Sequence, residues 1–148
     1  MAANTEDVHG PVTATLDGAG LTTTVTASTH SLIADEPASL GGDDRGPTPY
    51  DLLLASLGAC KAITLRMYAQ RKGWPLDAVD VTLTHGRIHA EDCADCESTS
   101  GLVDRIDVSL RLRGDLTPEQ RQRLAQIADR CPVHQILTTE TVVRTSLD

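Results

Sequence analysis

Between Val12 and Ser28, β-branched residues alternate with polar ones on either side of Asp17-Gly18-Ala19-Gly20. A two-residue period broken by turn formers predicts a β-hairpin. His30 to Asp35 continues the pattern as a third strand, and Glu36 to Gly46, rich in Gly, Pro and Asp, predicts a loop. At Thr48 the pattern changes. Thr48-Pro49-Tyr50-Asp51 has an N-cap hydroxyl, a proline at the first helical position and an acid at the third, so a capping box opens a helix there. That helix runs to about Lys72 and stops at Gly73, ahead of Trp74-Pro75. Its first half, Leu52 to Ala62, is apolar nearly all the way round, which predicts a helix enclosed on most sides.

Strands are predicted over 78–89 and 103–113. Thr117-Pro118-Glu119-Gln120 repeats the capping pattern and starts a second helix reaching Arg130, with Leu124, Ile127 and Ala128 inward. Pro132 begins a short third helix and leaves Cys131 at its N-cap or close to it. A last strand is predicted over 141–147. The order β-β-β-α-β-β-α-α-β makes the fold α+β, with mostly antiparallel strands against a central helix. Residues 1–9 read as a flexible tail and 10–148 as a single domain, without internal repeats.

Composition narrows this picture. The chain has 148 residues with no Phe, one Trp and two Tyr, so Leu, Val, Ile and Ala must fill the interior. A formal charge of −8 argues against a nucleic-acid or anionic-membrane surface. No uninterrupted run of eighteen apolar residues predicts a membrane span, and MAANTEDVHG has neither the basic nor the apolar region of a secretory signal. A cytoplasmic protein is the expectation. There, the four cysteines, Cys60, Cys93, Cys96 and Cys131, read as metal-binding or redox-active thiols before they read as a disulfide framework.

Cys131 at a helix N-terminus would feel free amides and the positive end of the helix dipole, which favour thiolate, and Arg130 and His134 would add positive charge. The plain alternative is a buried small side chain that ends one helix. Cys60, in mid-helix, reads by itself as an inert buried thiol. The combination of the two says more.

The segment 46-GPTPYDLLLASLGACKAITLRMYAQRKGW-74, followed by 129-DRCPVH-134, resembles the OsmC/Ohr family of thiol-dependent peroxidases, in the branch that carries HAEDCADC between two strands. The likeness extends over about 29–147. It implies an intertwined homodimer in which sheets and the partner subunit enclose two cysteine-bearing helices. It also implies that Cys60 is the peroxidatic thiolate, Cys131 the resolving thiol, a hydroperoxide the substrate and an external dithiol the reductant, with no cofactor required. In peroxidase branches an arginine from the N-terminal region stabilises the thiolate, oriented by a glutamate just after the proline. Here Tyr50 follows Pro49 and Asp51 is one place further on. The one lysine or arginine before Cys60 is Arg45, so Arg45 with Asp51 is the expected substitute; Lys61, His30 and His134 are the other cations at hand.

The segment 85-HGRIHAEDCADCES-98 admits three readings. Cys93 and Cys96 with His89 or His85 could ligate zinc. The CxxC could close to a disulfide and relay electrons, although the acids around it disfavour thiolate. Or it is an acidic connecting loop with idle thiols. Two functions follow: a peroxidase acting through Cys60 and Cys131, or a non-catalytic metal-binding or redox-sensing protein using Cys93 and Cys96.

Overall fold

The computed structural model describes residues 9–148; the tail expected over 1–9 lies, apart from His9, outside the described residues. Within the stretch read as one domain the chain packs as two compact units, one ending at Leu53 and the other covering Leu54–Asp148. Helix α1 (Pro49–Lys72) runs through their boundary.

The first unit is an antiparallel meander of β1 (Val12–Leu16), β2 (Thr23–Ala27) and β3 (His30–Ala34), in that order. Val12 pairs with Ala27, and Thr23 with both Leu16 and Ala34. The following loop is organised by Asp35, which is 2% exposed. Its carboxylate accepts hydrogen bonds from the Glu36 N–H (2.8 Å), the Thr22 hydroxyl (2.9 Å) and the Arg45 N–H (3.3 Å). Burial pushes the Asp35 carboxyl up, but these donors and the Asp43 N–H outweigh it, so it titrates below its ordinary value. At the start of α1 the predicted capping box is present. The Asp51 N–H donates to the Thr48 hydroxyl (3.1 Å), and the Asp51 carboxylate accepts from the Thr48 N–H (2.9 Å).

The second unit pairs β4 (Ala78–His89) with β5 (Leu102–Arg113) along their full length, from Ala78↔Arg113 to His89↔Leu102. Alternation places Val79, Leu110 and Leu112 against a core of Leu65, Ala69, Leu76, Leu116, Leu124, Ile127 and Ala128. The last three come from α2 (Pro118–Ala128), capped by a full Thr117–Gln120 capping box. Close approach of α1 to β4 depends on Gly58, where an added Cβ would stand 2.8 Å from Leu83 Cδ1. The short helix α3 (Pro132–Thr138) follows, with Cys131 as its N-cap.

One expectation is corrected. The strand predicted over 141–147 is absent, and Val142, Val143 and Leu147 are exposed. β-branched residues favour a strand only where a neighbouring edge completes the ladder, and this chain pairs none with that segment. Within this chain α1 is covered along one row. Leu57, Gly58, Lys61, Leu65 and Ala69 form its buried row, whereas Leu53, Ile63 and Met67 are 43%, 59% and 64% exposed. All-round apolarity reported that this surface avoids water, not that the same chain covers it. By length and composition α1 could also cross a bilayer; in this fold its buried row packs on the β4–β5 hairpin and α2 as a core helix does.

Candidate active site

Three segments converge in the second unit: the middle of α1, the end of α2 and the start of α3. Cys131 is fully buried. Its sulfur accepts the His134 N–H at 3.3 Å, the N-cap bond that Pro132 at the first helical position leaves to the third. The Cys60 thiol, half-buried on α1, is near enough to act on it. The sequence places these cysteines 71 positions apart, and the fold brings them together.

Burial pushes the Cys131 thiol above its ordinary value, and Cys60 raises it further through a hydrogen bond and charge; the His134 N–H and the Lys61 charge oppose this without prevailing. The helix-terminus argument for a Cys131 thiolate is therefore corrected: for a sulfur with 0% exposure, desolvation outweighs a terminus of only 7 residues.

Lys61, next to Cys60 in sequence but on another side of the helix, is 1% exposed. Its ammonium donates to the Ala128 carbonyl (2.9 Å), Asp129 Oδ1 (3.2 Å) and His134 Nδ1 (3.1 Å). Because an ammonium only donates, His134 Nδ1 is the acceptor. Beside this cluster opens a cavity of about 360 Å³ lined by Leu57, Ile106, Val108 and Leu137 together with Lys61 and His134. A lysine among apolar helix residues reads in sequence as a snorkelling side chain, so its burial was not legible there.

The other candidates are engaged in or carried by other elements. Arg45 and Asp51 belong to the first unit; the Arg45 N–H holds Asp35, and the Asp51 carboxylate is engaged in the capping box. His30 begins β3. Cys93 and Cys96 are joined as a disulfide in the loop between β4 and β5, so in this form they offer no thiolates to a metal. His89 is exposed, and His85 is bonded to Asp104 at 2.9 Å. Among the described residues no group of three or more His, Cys, Asp and Glu side chains is arranged for a metal ion.

The family of this architecture is defined by comparison. Residues 41–146 match the family model for OsmC-like protein, and the chain belongs to that family. It is similar in structure to an OsmC-like protein from Mycoplasma pneumoniae (TM-score 0.68, 20% identity, 89% of each chain covered). It is also similar to an organic hydroperoxide resistance protein OsmC from Legionella pneumophila (TM-score 0.61, 21% identity, 87% of this chain and 90% of that one). A third likeness is to an organic hydroperoxide resistance protein from Elizabethkingia anophelis (TM-score 0.62, 20% identity, 90% and 91%). At these identities the likeness is one of fold. No curated protein sequence matches the chain significantly.

Proposed function

We propose that this protein is a thiol-dependent peroxidase that reduces organic hydroperoxides or hydrogen peroxide. The observation that carries the reading is the approach of Cys60 to the buried Cys131 across 71 positions of sequence. Family membership and fold relatives named for hydroperoxide resistance support it.

In the proposed cycle the Cys60 thiolate attacks the distal oxygen of the hydroperoxide. The O–O bond breaks, the sulfur becomes sulfenic acid, and the alkoxide leaves and takes a proton to become the alcohol, or water from hydrogen peroxide. Cys131 then attacks the Cys60 sulfur. The S–O bond breaks, and the hydroxyl leaves as water with the proton that Cys131 has retained. An external dithiol donates two electrons and two protons to reopen the disulfide, and itself becomes a disulfide. No cofactor enters the cycle. The family resemblance assigns stabilisation of the thiolate to an N-terminal arginine, for which Arg45 with Asp51 is the substitute this sequence offers, in a homodimeric, cytoplasmic protein. The uncovered Leu53, Ile63 and Met67 on α1 fit a surface meant for a second chain.

The test is peroxide consumption in the presence of an excess of a small dithiol, on protein whose mass in solution is first measured by light scattering. The reading expects two chains per particle, turnover in the parent and its loss in Cys60→Ser. A parent that consumes no peroxide beyond the dithiol blank contradicts it.

The Cys93–Cys96 disulfide favours the redox-sensing form of the alternative function over the metal-binding form. A zinc ion held by Cys93, Cys96 and His89 would first require reduction of that bond. Stoichiometric zinc on the reduced protein, lost in Cys93→Ser, together with absent turnover, would restore it.

A further inference from the structure

Lys61 and Asp35 are the two charged side chains that the described fold buries, and only Lys61 lies at the thiol pair. An ammonium with 1% exposure would be costly without partners. Here all three of its donors are used, on the Ala128 carbonyl, Asp129 and His134. Those partners are the last residue of α2, the residue after it and the third residue of α3, so one side chain on α1 grips both sides of Cys131. The His134 that accepts at Nδ1 is also the residue whose N–H caps the Cys131 sulfur.

The charges facing Lys61 are unequal in their demand on it. Asp129 touches it, but that carboxylate is 69% exposed, so water screens the pair. The two acids on the β5 wall of the adjoining cavity have cations of their own: Asp104 is bonded to His85 and Arg87, and Asp107 to Arg105. His134 is an acceptor here and does not compete for negative charge. The ammonium therefore retains positive potential that acts on the buried sulfur beside it, where screening is weak.

We infer that Lys61 is the positioning residue of the thiol pair: its anchored ammonium holds the α2–α3 junction, and with it Cys131, against Cys60, and supplies the positive charge that favours a negative sulfur. The purpose of this device rests on the peroxidase reading; its physics does not. It places a positive charge beside the thiol pair within the second unit, on the residue that follows Cys60. A lysine that merely capped the carbonyl end of α2 would contribute to stability and leave the thiols' protonation alone.

The test is the pH dependence of iodoacetamide alkylation of the fully reduced protein, read for each cysteine by mass spectrometry, with thermal melts alongside. Alkylation needs no peroxide, so a parent without turnover overturns the proposed function and leaves this test intact. In Lys61→Met the Cys131 curve should move up by about one pH unit, roughly a tenfold slower reaction at neutral pH, and Lys61→Arg should restore most of it. Asp129→Asn removes an exposed carboxylate, so it should fold and move the curve downward. If Lys61→Met does not fold, Lys61→Arg and Asp129→Asn decide the matter. A curve unmoved in every folded variant overturns the inference.

Discussion

Asp35 and Lys61 show how differently a charged side chain can be accommodated once it leaves water. Asp35 is held by main-chain N–H groups of its own loop and by Thr22, and Lys61 by acceptors more than sixty residues away. The first arrangement has a consequence in acid. Because the folded Asp35 carboxyl titrates below its ordinary value of 3.8, the stability it contributes is present above that value and is lost as pH falls through the lower, folded one. Asp35→Asn should therefore melt below the parent at pH 7, with the gap closing as the pH is taken to 3 and below. A gap that stays constant over that range would show that the carboxylate's charge is not what holds the loop. At Cys131 two physical effects oppose each other and burial prevails. Exposure decides that contest, and the order of residues in 131-CPVH-134 does not reveal it.

At the scale of elements, most boundaries were legible because their causes are local. The capping boxes at Thr48 and Thr117, Pro49 and Pro118 at first helical positions, and Gly73 after α1 fix helix ends within a few residues of chain. Alternation did the same for β4 and β5. What failed was non-local. The segment 141–147 has the composition of a strand but no edge to join. The turn between β5 and α2 carries a local constraint that can be measured. Gly114 has φ +140°, and an added Cβ would stand 2.0 Å from the Pro75 carbonyl oxygen. Gly114→Ala should cost about 2 kcal/mol or more in denaturant unfolding, since backbone must move to admit it. Gly86→Ala, with nothing within 4 Å, should cost little. Equal effects at the two positions would mean that the turn relaxes freely.

For the whole molecule, the sequence indicated an α+β fold of the OsmC-like family, and residues 41–146 carry that membership. The candidate site was legible only in part. Cys60 and Cys131 stood out as a pair through resemblance and Lys61 as one of several cations at hand, but its burial did not, because nothing in a helical pattern tells a buried lysine from a solvated one. The state of Cys93 and Cys96 also stayed open in sequence, since CxxC spacing serves metal and disulfide alike. The central claim is that two distant cysteines form one redox unit. The most direct measurement is thiol mapping by mass spectrometry of the fully reduced protein, before and after one equivalent of an organic hydroperoxide, beside Cys60→Ser. Rapid formation of a Cys60–Cys131 disulfide, absent in the variant, is the result the account predicts. A Cys60–Cys131 pair that stays reduced while Cys93 and Cys96 oxidise would contradict it and move the chemistry to the loop.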